Sequence, residues 1–287
     1  MTERVLVAGG SGFLGGGLVS RLARDGWSHA AVSRSAGIDL TRGEQVQTLT
    51  GFDVIVNACG RTSVPASYRD PAGFHRDNIL TTLNLLDVAR RTGARFVHAG
   101  SYVYGTPRSL PIDETHPVAA QNPYAASKVA AERLCADYHR DFGVPVTVLR
   151  IFNAYGPGQR AEFLVPTIVA GVLAGAVEVA DGTPRRDFVH REDVVEALVR
   201  AISWRHAGCE AINVGSGRST SVAELIGIAV RASGRDVRVR IREVVRPAEI
   251  PDTVADIRKA AVTLGWTPRI DLEDGIAALV RSSGEDA

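Results

Sequence analysis

The stretch from Arg4 to Gly15 constrains this chain most. An apolar run, Val5-Leu6-Val7-Ala8, leads directly into Gly9-Gly10-Ser11-Gly12-Phe13-Leu14-Gly15, and an apolar-periodic segment follows. An apolar run without alternation suits a strand covered on both faces. Gly9 permits a tight strand-to-helix turn. Gly12 lets backbone approach a pyrophosphate, and Gly15 lets the helix pack closely on the strand. The helix start offers free N–H groups and a positive dipole end. Glycines alone would equally suit a flexible loop. The strand before and the helix after make this a dinucleotide turn, with Gly9, Ser11, Gly12, Phe13, Leu14 and Gly15 as expected cofactor contacts.

The rhythm continues beyond the turn. Strand-like runs at Arg4–Ala8, His29–Ser33, Asp53–Ala58, Arg95–Ala99 and Val146–Ile151 alternate with helical periods. Those periods lie near Gly12–Asp25, Arg42–Leu49, Phe74–Thr92 and Pro123–Phe142. This alternation predicts an α/β fold, a Rossmann-type doubly wound parallel sheet. After Ile151 the pattern loosens, with helices expected at Glu192–Ser203, Val222–Ala232, Asp256–Leu264 and Leu272–Arg281. The predicted division is a dinucleotide-binding domain over 1–162, its sheet completed by parts of 187–215. A smaller substrate-binding lobe is expected over 163–287.

Composition narrows the class. The chain has 287 residues and a net charge of +1, so no general basic field for nucleic acid exists. Three scattered cysteines, Cys59, Cys135 and Cys209, show neither metal spacing nor a disulfide framework. No metal is expected. No apolar run approaches the ~20 residues of a membrane helix, and the N-terminus lacks a signal-peptide pattern. The expectation is a soluble, cytoplasmic protein without nucleic-acid or membrane partners.

The end of the second strand reports on the cofactor. An acid there favours NAD through the ribose hydroxyls, whereas Arg accommodates the 2′-phosphate of NADP. This chain has Ser33-Arg34-Ser35 and no acid before Asp39. NADP is therefore expected, with NAD possible.

Tyr124 and Lys128 stand at i and i+4, on one helical face. Asn122-Pro123 before them reads as a helix start, and Lys128 is one of only two lysines among 33 basic residues. An ammonium beside a phenol favours the phenolate and suits it to acid–base work.

With these residues in view, the chain resembles the extended short-chain dehydrogenases/reductases of the nucleotide-sugar epimerase/dehydratase/reductase group. The resemblance runs over nearly the whole length. It includes Asn57-Ala58-Cys59-Gly60, Asp39-Leu40, Asn78, Arg150-Ile151-Phe152-Asn153-Ala154-Tyr155-Gly156-Pro157-Gly158, Arg186-Asp187-Phe188-Val189-His190, Asn213-Val214-Gly215, Arg246-Pro247-Ala248-Glu249 and Leu264-Gly265-Trp266. It implies cofactor contacts from Ser33, Arg34, Ser35, Asp39, Leu40, Ala58, Cys59, Gly60 and Asn78, with Tyr124 and Lys128 at the nicotinamide end. It also implies substrate contacts from Asn153, Arg186, Arg246 and Glu249. Phe163-Leu164-Val165-Pro166 would form part of a nucleotide wall. A homodimer through Phe74–Thr92 and Pro123–Phe142 is implied too, although Leu83, Leu86, Val129 and Leu134 would serve equally as intrachain core.

One departure stands out. The family carries Ser or Thr five residues before the Gly of its V-Y-G motif, and here that position is Gly100, with Ser101 next. A shifted strand end would let Ser101 serve. Alternatively, Tyr124 works with another donor such as Thr62 or Tyr102, or the chemistry is weakened. Family 4,6-dehydratases resemble Thr-Asp-Glu in this segment; Ser101-Tyr102 supplies neither carboxylate, which argues against a dehydratase.

The leading expectation is an NADP(H)-dependent reductase of a nucleotide-diphosphate keto-sugar, with the ketone at C4, using Tyr124, Lys128 and Ser101. The alternative is an NAD-dependent nucleotide-sugar epimerase. A third reading, a non-catalytic cofactor-sensing protein, draws only on Gly100.

Overall fold

The structure is a computed structural model that describes residues 3–242, 244 and 249–285. Six strands form one parallel sheet: β1 (Arg4–Ala8), β2 (Ser28–Val32), β3 (Val54–Asn57), β4 (Arg95–Ala99), β5 (Val146–Ile151) and β10 (Cys209–Val214). Their order is β10-β5-β4-β3-β1-β2. The chain winds outward from β1 to β2, then returns to the other side of β1 through β3. The carboxyl ends of β1 and β3 therefore bound the crevice where winding reverses, the place where open α/β sheets bind ligands.

Helices cover both faces. On one face lie α1 (Phe13–Arg24) and α7 (Arg191–Ser203). Leu18, Leu22, Val195 and Leu198 pack there under Val5, Val7 and Val56. On the other lie α2 (Gly43–Val46), α4 (Pro71–Thr92) and α5 (Pro123–Phe142), where Leu85, Leu86 and Cys135 meet Leu6, Ile55 and Phe96. The short α3 (Val64–Arg69) precedes α4. Burial on both faces explains why these strands read as continuous apolar runs.

A second apolar core gathers α6 (Leu164–Leu173), α8 (Val222–Ser233) and α10 (Leu272–Glu285) around Val169, Val172, Leu225 and Ile276. Short strands flank it: β6 (Asn153–Tyr155) with β9 (Phe188–His190), β7 (Ala176–Val179) with β12 (Arg238–Ile241), and β8 (Arg185–Arg186) with β11 (Thr220–Ser221). Helix α9 (Arg258–Leu264) returns to the large sheet and precedes Trp266, 1% exposed.

Element ends differ from the sequence expectation for local reasons. Helix α4 starts at Pro71 rather than Phe74, because Asp70 accepts the Gly73 N–H at 3.0 Å and Pro71 occupies the first turn. Helix α2 is a single turn rather than Arg42–Leu49; only its Val46 is buried, so no apolar stripe extends it. Helix α6 escapes the sequence reading because Leu-Val-Pro-Thr-Ile-Val-Ala-Gly-Val-Leu has no polar face to set a period.

Candidate active site

The glycine turn folds as a closed cradle. Gly9 takes φ +85° and donates its N–H to the Val32 carbonyl at 2.8 Å, while Gly12 donates back to the Gly9 carbonyl. A Cβ on Gly15 would collide with that same carbonyl. Helix α1 then begins with no side chain capping its first N–H groups and no acid in its first turn. Those donors and the dipole behind them suit a pyrophosphate.

Beside the cradle, at the end of β2, three hydroxyls form a chain. Ser35 Oγ donates to Ser11 Oγ at 2.9 Å and lies 2.9 Å from Ser33 Oγ. The Arg34 side chain is 68% exposed and reaches Asp39 only at 3.4 Å, so it can turn toward an anion. Asp39 itself is held by Thr41, whose hydroxyl and N–H bonds, ahead of Arg34, keep its carboxyl below the usual range. Leu40 is buried in the sheet core.

Across the crevice, the loop after β3 is fixed from below. Asn57 Oδ1 accepts the Cys59 N–H at 3.1 Å, and the Ala58 N–H reaches the Ala8 carbonyl. Gly60 takes φ +152° against the Asn78 amide. Asn78 accepts the Arg61 N–H at 2.8 Å and donates to Ser127 Oγ at 2.8 Å. Ser127 in turn donates to the Tyr124 carbonyl at 2.7 Å. Asn78 thus ties the cofactor loop to the first turn of α5. The sequence reading missed Ser127, whose one signal is a small hydroxyl residue three positions after Tyr124.

Helix α5 begins where it must for chemistry. Asn122 caps it by accepting the Ala125 N–H at 2.8 Å, and Pro123 fills the first position. Tyr124 then faces the carboxyl end of β4, and Phe74 meets its ring edge-on with centroids 6.4 Å apart. Burial pushes the Tyr124 phenol up to about 12, and a hydrogen bond with the Ser101 side chain partly offsets this. Lys128, 5% exposed, donates to the Ala99 carbonyl at 2.8 Å. Burial lowers its own pKa to about 8. The ammonium is therefore turned to β4 rather than to the phenol, unlike the sequence expectation; Ser101 is the group that favours the phenolate.

Gly100 continues β4 too tightly to carry a side chain. Its N–H donates to the Leu149 carbonyl at 2.8 Å, and an added Cβ would lie 3.0 Å from Val148 Cγ1 and 3.1 Å from the Leu149 oxygen. The next residue turns back, which brings Ser101, 9% exposed, to Tyr124.

The remaining expected contacts lie toward the second core. Asn153 Oδ1 accepts from the Tyr102 phenol at 3.1 Å. Arg186 pairs with Glu249 and donates to the Ile250 carbonyl at 2.7 Å, so these two expected contacts meet each other. Thr62 accepts a long, 3.4 Å bond from Arg160, whose guanidinium also lies over the Phe163 ring. Phe163 precedes α6, while Leu164 and Val165 turn into the second core. Arg246 lies outside the described residues. Among the described residues, no group of three or more His, Cys, Asp or Glu is placed to hold a metal, and no helix is long and apolar enough to cross a membrane.

A nucleotide cradle opening onto a cluster of Tyr124 with the buried Lys128 and Ser101 defines a nicotinamide-dependent oxidoreductase. The family model of the NAD dependent epimerase/dehydratase family matches residues 5–215, and the chain belongs to this family. It is 32% identical to the GDP-6-deoxy-D-mannose reductase of Pseudomonas aeruginosa, over 98% of this chain and 97% of that one. It is 33% identical to a UDP-glucose 4-epimerase of Mycolicibacterium smegmatis, over 96% and 97%. The solved structure of RMD from Pseudomonas aeruginosa, complexed with NADPH, superposes with a TM-score of 0.91, at 30% identity and 100% coverage of both chains.

Proposed function

We infer that this enzyme is an NADP(H)-dependent reductase of a keto-sugar carried on a nucleoside diphosphate, with the ketone at C4. The observation that carries the reading is the end of β2, where an exposed Arg34 stands beside the hydroxyl chain Ser33–Ser35–Ser11. A cation with several hydroxyl donors is what a ribose 2′-phosphate requires. The relative named as a reductase and the neighbour complexed with NADPH support the same choice.

Held by its pyrophosphate in the cradle, a reduced dinucleotide would supply the hydride for the carbonyl carbon. Ser101 hydrogen-bonds the carbonyl oxygen as its π electrons localise there. Tyr124, a neutral phenol well above neutral pH, gives that oxygen its proton. Lys128 and Asn78 hold the ribose and the loop beneath it. Arg186, Glu249 and Arg246 hold the nucleotide end. The dinucleotide-binding domain covers 1–162, with its sheet completed by parts of 187–215, and the substrate lobe covers 163–287. The enzyme works as a homodimer: on α4 and α5, Leu86 and Leu134 pack in the chain's own core, whereas Leu83 and Val129 are only half-buried.

A second reading, an NAD-dependent epimerase, draws on the Asp39 carboxylate beside Arg34 and on relatives named UDP-glucose 4-epimerase. Absorbance at 340 nm separates the two. Net loss of NADPH with a nucleotide-linked 4-keto-sugar is the expected result, whereas interconversion of two sugars with no net consumption supports the epimerase. Arg34→Ala should lower kcat/KM for NADPH about 10- to 100-fold, the contribution of a charge-assisted pair, and leave NADH unaffected. Equal kcat/KM for both cofactors in the unsubstituted enzyme would remove Arg34 from its role.

A further inference from the structure

The geometry points to Tyr102 as a substrate-positioning residue that locks the Asn153 amide with its N–H side toward the substrate diphosphate. This inference rests on the nucleotide-sugar reading above. Tyr102 follows Ser101 directly, and its phenol is near enough to Tyr124 to help raise that group, while its ring stacks on Phe152, with centroids 4.7 Å apart and planes 14° from parallel. Its backbone is pinned as well, donating to the Ile151 carbonyl at 3.3 Å. The phenol is thereby held rigidly at Asn153 Oδ1, donating at 3.1 Å.

An amide has two nearly isosteric ends, an acceptor and a donor. With Oδ1 engaged by Tyr102, the Nδ2 end is fixed on the opposite side. One of its protons goes to the Asp187 carbonyl at 3.3 Å. The other has no protein acceptor among the described residues. Burial raises the Tyr102 phenol above its ordinary range, and Arg186 offsets this in part while Glu249 and Asp187 add to it, so Tyr102 and Asn153 border the Arg186–Glu249 pair. An anionic group drawn to Arg186 would meet an N–H at Asn153 if the amide is locked, and a repulsive carbonyl if it is flipped. The Asp187 carbonyl, which can only accept, sets this orientation, and the Tyr102 phenol holds Oδ1 in it without touching the reacting carbonyl.

Tyr102→Phe tests this, because it retains the stack on Phe152 and removes only the phenol. The expected result is a KM for the nucleotide sugar raised about tenfold, with kcat and the KM for NADPH within about twofold. Asn153→Ala should raise the same KM, and adding Tyr102→Phe to it should change nothing further, as two residues acting through one contact require. Calorimetric titration of UDP, GDP, dTDP, CDP and ADP reads the diphosphate alone; whichever binds the unsubstituted enzyme should bind Tyr102→Phe about tenfold more weakly. Unchanged diphosphate binding in Tyr102→Phe would overturn the inference alone. So would a fall in kcat at constant KM, which would make Tyr102 a second hydroxyl at the reacting oxygen. Failure of the unsubstituted enzyme to bind any of the five would instead overturn the nucleotide-sugar reading, and this inference with it.

Discussion

Lys128→Met separates what this lysine does for the fold from what it does for turnover. Lys128 is 5% exposed and donates to the Ala99 carbonyl. Burial takes its pKa from 10.5 to about 8, against smaller raising effects from Cys135, Glu132 and Cys59. At roughly 1.4 kcal/mol per pKa unit, folding disfavours the charged amine by about 3 kcal/mol relative to the unfolded chain. The sign follows from proton counting. Between about pH 8 and 10.5 the unfolded chain holds a proton that the folded chain has lost, so stability rises with pH across that window. Below pH 8 both states are protonated and the folded state carries the whole cost. Methionine keeps an apolar stem and removes the charge. It also leaves the Ala99 carbonyl without its donor, a loss of about 1–2 kcal/mol. The variant should therefore be more stable than its parent by about 1–2 kcal/mol at pH 7, and less stable by a similar amount near pH 10.5. Thermal unfolding without cofactor across this range is the assay, each kcal/mol moving Tm by about 2–4 °C. A variant less stable at pH 7, or a difference that does not change with pH, refutes the reasoning. Turnover should meanwhile fall at least about 100-fold, the lower end of what acid–base machinery contributes.

Ser101→Ala should cost about 10²–10³ in kcat with little change in KM, the usual loss of a donor aimed at developing oxyanion charge; a loss under about threefold would remove Ser101 from the reaction. Gly100→Ser should lower stability by about 1–3 kcal/mol through overpacking against Val148 and Leu149. It should also fail to restore Ser101→Ala, and rescue in the double variant would show that position 100 faces the reacting oxygen. Light scattering should give the mass of two chains, and a monomer mass would refute the α4–α5 dimer.

The parts of this molecule that local chemistry dictates were legible from the sequence. The Gly9–Gly12 turn and the Asn122-Pro123 start of α5 satisfy backbone groups within a few residues, and β1, though its partners lie on β2 and β3, announces itself by an apolar run. What was not legible depends on residues far apart in the chain. Helix α6 packs its buried Val165, Ile168, Val169 and Val172 against α8 and α10, elements far along the chain. The pairing of Arg186 with Glu249 joins positions 63 residues apart. The orientation of the Lys128 ammonium depends on where β4 ends, 29 residues earlier.

The same limit explains the missing hydroxyl. Counting back from Gly105 assumes that the chain leaves β4 with a fixed phase, and on that count Gly100 is an empty catalytic position. The sheet sets a different phase. Gly100 still bonds to the Leu149 carbonyl and sits flush on β5, with no room for a side chain. The side-chain direction alternates at the next residue, so Ser101 turns toward Tyr124 and Tyr102 turns away toward Asn153. A serine at position 100 would point into β5, and a glycine at 101 would leave Tyr124 without its partner. The Gly-Ser order is therefore the arrangement that this strand end requires if a hydroxyl is to meet the phenol.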